Sequence, residues 1–176
     1  VLPLASADAS GNVVYIGTLS KVLAPGLRVG FLVATPDLIE RASGLRTFVD
    51  RQGDRVVERS VAELLDDGTV QRHARRMRRI YRDRRDAMAS AISDSFGDAA
   101  RFSVPHGGLA LWTEFPGVDV RAWSERALDA GVAIHTAARF AFDGRARPFL
   151  RLGYGGYPPD VLRAAVATLA KTRPRR

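Results

Sequence analysis

Gly17-Thr18-Leu19-Ser20-Lys21-Val22-Leu23-Ala24-Pro25-Gly26-Leu27-Arg28-Val29-Gly30 is the stretch on which the fold turns. It is bracketed by two apolar runs, Asn12–Gly17 (NVVYIG) and Val29–Ala34 (VGFLVA), whose β-branched and aromatic content predicts two buried strands. The loop between them carries an amine, two hydroxyls, a guanidinium and glycines at the ends of interior strands, which is where α/β folds hold ligands. An amine attacks an aldehyde only when neutral, and partial burial or a neighbouring cation favours that form. Lys21, set between the strands with Arg28 seven positions on, is expected to meet both conditions. The hydroxyls of Thr18 and Ser20, the backbone around Gly26 and the Arg28 guanidinium are suited to cradle a phosphate, with glycine at 17, 26 and 30 keeping Cβ atoms clear of it. An amine beside a phosphate cradle implies a phosphorylated aldehyde.

Working outward, Thr35 and Pro36 predict the N-cap and first position of a helix over Pro36–Leu45. FVDRQGD (48–54) is a polar break, Arg55–Leu65 a second helix, and Asp66-Asp67-Gly68 a turn into a long helix over Val70–Phe96. Val70, Ala74, Met77, Tyr81, Met88 and Ile92 give that helix one buried stripe. Beyond it, strands near Leu109–Glu114, Val132–His135 and Phe149–Gly153 alternate with helices near Val120–Ala130 and Pro158–Thr172. That reads as a small α+β unit, with Trp112 in its core. The expected division is 1–50 as the end of a larger domain, 51–98 as a helical linker and 99–176 as a small domain, with the tail KTRPRR frayed. The first element begins almost at Val1, so the chain reads as a piece of something longer.

With 46% hydrophobic residues in 176, the chain can bury a real core. The absence of cysteine excludes disulfides and thiolate metal sites, and three histidines are too few for a convincing imidazole cluster. No apolar run reaches the roughly 20 residues that span a bilayer, and neither nucleotide-binding glycine signature occurs, so the expectation is a cytoplasmic protein without a membrane partner. The net charge of +8 and pI near 10.9 come from arginines spread along the chain, with one dense run at 72–85. QRHARRMRRIYRDRR (71–85) can be read as a nucleic-acid face, but a solvated linker helix accounts for it more simply.

A second constellation lies at Arg147-Pro148-Phe149-Leu150-Arg151-Leu152-Gly153-Tyr154. An arginine inside an apolar strand needs an anion or a path to solvent, and a carboxylate suits a guanidinium through two parallel hydrogen bonds. Arg151 is the first candidate and Arg147 the fallback; a structural ion pair is the alternative. His73, His106 and His135 are read as structural.

The pattern of strand, Ser-Lys, Pro-Gly-x-Arg-x-Gly and strand resembles the active-site segment of fold-type I pyridoxal-phosphate enzymes, the class I/II aminotransferase family. Pro105-His106-Gly107-Gly108-Leu109-Ala110-Leu111-Trp112 resembles the strand that opens their small domain. The resemblance spans nearly the whole chain. It implies an α/β fold: the C-terminal part of such an aminotransferase, made of the end of the large-domain sheet, a long linker helix and a small α+β domain. It also implies pyridoxal 5'-phosphate bonded to Lys21, with Arg28 and Thr18 on its phosphate, Ser20 assisting, and Arg151 on a substrate α-carboxylate. The acidic, aromatic and glycine-rich parts of the cofactor site are then expected upstream of residue 1. FVDRQGD and the segment 57–88 (VERSVAELL to RRDAM) look most like MocR-type regulators, which join a GntR-like winged helix to this fold. That form implies an amino acid or amine effector, DNA contact through the winged helix alone and a homodimeric parent. A genuine aminotransferase is the other reading.

Overall fold

The computed structural model describes residues 3–174. The chain divides into two compact units, Val1–Met77 and Arg78–Arg176.

After a 3-10 turn at Leu4–Ala7, the first unit forms β1 (Tyr15–Thr18) and β2 (Gly30–Val33), an antiparallel pair in register from Tyr15↔Val33 to Thr18↔Gly30. Both strands are shorter than predicted, and they are not buried: Ile16 is 77% exposed and every residue of β2 is exposed. The reason is architectural. A two-stranded ribbon buries little by itself, and no further layer covers its apolar side chains among the described residues of this unit.

Helix α1 (Pro36–Val49) starts where Thr35 and Pro36 predict it to, although the Thr35 hydroxyl makes no capping bond, and it runs on past Leu45 to Val49. The break follows at 50–53, with Arg51 and Gly53 at φ of 60° and 63°. Arg46 fastens the corner, pairing with Asp50 at 3.0 Å and with Glu58 at 2.7 Å. Asp54 caps α2 (Arg55–Asp66) by accepting the Val57 N–H at 3.0 Å, and Asp67 accepts the Thr69 N–H at 2.8 Å as α3 (Thr69–Phe96) begins.

The second unit is a three-stranded antiparallel sheet in the order β3 (Ala110–Glu114), β5 (Phe149–Gly153), β4 (His135–Thr136). Of the strand predicted over Val132–His135 only His135 is in β4, which continues to Thr136; Val132 instead closes a turn by donating its N–H to the Ala127 carbonyl. One face of the sheet carries Leu111, Thr113, Leu150 and Leu152, all buried. Against it pack the later part of α3, through Met88, Ile92 and Phe96, and α4 (Val120–Asp129) and α5 (Pro159–Thr172). Phe96, Phe115 and Trp123 meet edge to face, with centroids 4.7–5.7 Å apart. Trp123 is fully buried and donates its indole N–H to the Leu169 carbonyl at 3.0 Å. Lys171 and Thr172 of the predicted frayed tail belong to the last turn of α5, while Arg175 and Arg176 lie outside the described residues.

Trp112 is not in the core. Side chains alternate along a strand, and Leu111 and Thr113 take the inward positions. Trp112 therefore stands on the opposite face, 43% exposed and stacked on Phe149 with centroids 5.7 Å apart.

Candidate functional site

Strand pairing shapes the lysine loop. Thr18 faces Gly30 at the end of the ribbon, and the Leu19 N–H donates to the Val29 carbonyl at 3.0 Å. Leu19 is the one buried side chain here, and its carbonyl accepts the N–H groups of Val22 and Leu23 at 3.1 and 2.8 Å. The turn so formed lifts Lys21 into solvent. The Ser20 N–H donates to Thr18 Oγ1 at 3.2 Å, which ties the two hydroxyl residues together. Pro25–Leu27 then form a 3-10 turn that ends in Arg28 at φ 53°, ψ 27°, the left-handed region.

Thr18, Ser20, Lys21 and Arg28 thus share one loop, as their sequence spacing implies. The expected burial of Lys21 is not seen: Lys21, Thr18 and Arg28 are exposed and Ser20 is half-buried. Its cause is the uncovered ribbon on which the loop sits. Neither Lys21 nor Arg28 enters an ion pair among the described residues.

The three glycines have different reasons. A Cβ on Gly17 would run into the Phe31 ring, and one on Gly30 would come within 2.9 Å of the Gly17 carbonyl, so both serve the ribbon itself. Gly26 alone faces open space, with nothing within 4 Å.

Arg151 lies at the centre of the sheet's second face. Register sets Trp112 on one side of it and His135 on the other, so the three side chains form a row across β3, β5 and β4. Its guanidinium sits over the Phe140 ring, 5.9 Å from the centroid, and makes no ion pair among the described residues. The alternative of a structural ion pair fits Arg147 instead, whose two terminal nitrogens donate to Asp143 at 3.2 and 2.6 Å. The backbone N–H of Arg145 and the Arg147 guanidinium hold the Asp143 carboxyl below its ordinary value. Arg147 is therefore paired with a carboxylate, whereas Arg151 has no such partner among the described residues.

Sequence reading missed the company Arg151 keeps. Phe140 edges onto Trp112 at 5.9 Å and lies 6.3 Å from the His135 ring, so an aromatic wall borders the guanidinium. Alternation along PFLRLG was the available signal, since it puts Phe149 and Arg151 on one face. Phe140 had none, because it comes from a 3-10 turn (Ala137–Phe140) outside the strands.

The chain belongs to the family described as aminotransferase class I and II, whose pattern matches residues 2–169. Its structure matches LysN, an α-aminoadipate aminotransferase from Thermus thermophilus, with a TM-score of 0.87 and 31% identity over 96% of this chain and 43% of that one. It has the α/β fold of the C-terminal part of a fold-type I aminotransferase. Relatives of two kinds match in sequence. An aromatic-amino-acid aminotransferase of Thermococcus litoralis is 30% identical over 98% of this chain and 42% of its own length. The HTH-type transcriptional regulator TauR of Rhodobacter capsulatus is 35% identical over 96% of this chain and 35% of its own. The chain therefore spans less than half of either relative.

Proposed function

We propose that this chain is the cofactor-bearing, effector-sensing part of a MocR-type transcriptional regulator, with pyridoxal 5'-phosphate held at Lys21. The observation that carries the reading is one loop on which an exposed amine, Lys21, and an exposed guanidinium, Arg28, both outside any ion pair among the described residues, stand on either side of Gly26 in the chain, where a Cβ would meet nothing within 4 Å. Arg28 adds to it. A residue with a Cβ at φ 53° carries roughly 1–2 kcal/mol that glycine would not, and such strain gathers at ligand clamps.

Pyridoxal phosphate, when bound, supplies an aldehyde and an electron sink for bonds at an amino-bearing carbon. Lys21 would hold the cofactor through its side-chain amine, and the same amine could hold or move a proton at the amino-bearing carbon. Arg28 and the Thr18 hydroxyl hold the phosphate, with Ser20 assisting. Arg151 orients an amino acid by taking its α-carboxylate through two parallel hydrogen bonds. Residues 1–50 then belong to the cofactor domain, 51–98 to the linker and 99–176 to the small domain. In the regulator an amino acid or amine effector shifts the two domains by binding their alternative arrangements unequally. DNA contact comes through a winged helix outside this chain, in a cytoplasmic homodimer. No helix of the described residues is long and apolar enough to cross a membrane.

The regulator-like segments 48–54 and 57–88 and the 35% identity to TauR favour this reading over catalysis. The second reading, a working aminotransferase in which Lys21 is also the general base, is favoured by the 30% identity to the Thermococcus enzyme. Borohydride reduction of the intact protein with pyridoxal phosphate, followed by peptide mass mapping, tests the shared core. A cofactor adduct on the peptide containing Lys21 is expected; an adduct elsewhere, or none, overturns it. Amino-group transfer to a 2-oxo acid, lost in Lys21→Ala, would then move the assignment from regulator to enzyme.

A further inference from the structure

The second unit contains a basic recess that neither reading uses. Its volume is about 490 Å³, and its walls include Arg78, Arg79, Arg82 and Arg85 of α3 with His106 and Gly107 of the turn before β3. Arg78, Arg82 and Arg85 follow the i, i+4, i+7 spacing that puts side chains on one helix face. Like charges so placed repel one another, and a helix tolerates them better when an anion lies across them.

Among the described residues, one of the four arginines has such a partner. Arg85 pairs with Asp86 at 2.7 Å and donates to the Pro105 carbonyl at 2.9 Å. Arg78, Arg79 and Arg82 are exposed and enter no ion pair among the described residues, and no carboxylate lines the recess. Its walls are held in place. The Arg85 bond fixes the turn to α3, and the Tyr154 hydroxyl donates to the Gly108 carbonyl at 2.8 Å on the far side. Gly107 and Gly108 have nothing within 4 Å of a notional Cβ, so the turn leaves the space open, and Gly108 stands at φ 93°, which favours glycine.

We propose that this recess binds a small molecule carrying a phosphate or diphosphate group, gripped by the guanidinium groups of Arg78, Arg79 and Arg82. Three uncompensated guanidinium groups exceed what a single carboxylate can neutralise, and their planar forks match phosphate oxygens. The volume admits a ligand of ordinary metabolite size beyond the phosphate itself. The turn and Arg85 are held beforehand, so the ordering cost of binding falls on the exposed arginine side chains.

Calorimetric titration of the intact protein with inorganic pyrophosphate, at constant ionic strength, tests this. Saturable binding is expected, weakened about tenfold or more in the R78Q/R82Q double variant. Both positions are exposed, so unchanged circular dichroism should accompany the loss. Gly107→Glu, which aims a carboxylate into the recess while keeping every arginine, should weaken binding as well. Repeating the titration on Arg28→Gln protein separates the result from the lysine loop, where Arg28 is the group assigned to a phosphate; affinity should be unchanged there. Absence of saturation at millimolar pyrophosphate, or equal affinity in the variants, overturns the proposal. So does binding of duplex DNA of unrelated sequence through the same arginines without pyrophosphate binding, which would make this a nucleic-acid face.

Discussion

Replacing Arg28 by glycine separates the loop's structural role from its chemical one. Arg28 occupies the left-handed region at φ 53°, ψ 27°, and its side chain forms no ion pair among the described residues. Glycine there relieves about 1–2 kcal/mol of backbone strain and adds about 0.5–1 kcal/mol of unfolded-state entropy, so stability should stay within about 1 kcal/mol of the parent. The guanidinium, if it holds the cofactor phosphate, contributes charge-assisted hydrogen bonds worth about 1.5–3 kcal/mol each. Losing even one weakens binding by about 10- to 100-fold. Thermal melting without cofactor gives the first quantity, and spectrophotometric titration with pyridoxal phosphate the second. The expected outcome is an unchanged melt with a weakened titration. A destabilised protein, or an unchanged affinity, would refute the reasoning, because Arg28 would then be a structural residue of the turn.

Arg151→Gln should leave melting unchanged while reducing the affinity of amino acids for the cofactor-loaded protein by about 100-fold, read from the spectral response to added amino acid. Thr113 Oγ1 is buried without a hydrogen-bond partner among the described residues, so Thr113→Val should stabilise the protein by about 1 kcal/mol, seen as a melting temperature higher by about 2–4 °C. The folded Asp143 carboxyl titrates below its ordinary 3.8, so the stability it lends is present above that value and fades as pH falls through the lower folded one. Melting curves of Asp143→Asn against pH should therefore lose part of the acid-side slope below about pH 4 and gain none above it.

The helices and two of the second unit's three strands were legible because their periodicity is local. The apolar stripe on α3 and the alternation Leu111, Thr113 against Trp112 are both written in residue order. What alternation does not state is which face is covered. Trp112 looks like core by type, yet it shares a face with Arg151, and the two make better sense together than apart. The same limit applies to NVVYIG: its apolar side chains describe a strand made to be covered, and the described residues of this unit form only a two-stranded ribbon. That Thr18, Ser20, Lys21 and Arg28 share one loop could be read because they lie within a dozen residues of one another. The aromatic wall and the basic recess could not, since each is assembled from segments far apart in sequence. The pairing of Arg147 with Asp143 was likewise not to be read from the sequence, which offered Arg147 only as the fallback to Arg151.

The central claim is that Lys21 bonds pyridoxal phosphate, and an absorbance spectrum of the intact protein with the cofactor, beside its Lys21→Ala variant, tests it most directly. A visible band present only with Lys21 is the predicted result. The same spectrum from both proteins, with no protein-dependent band in either, would contradict the account and leave the lysine loop a structural turn.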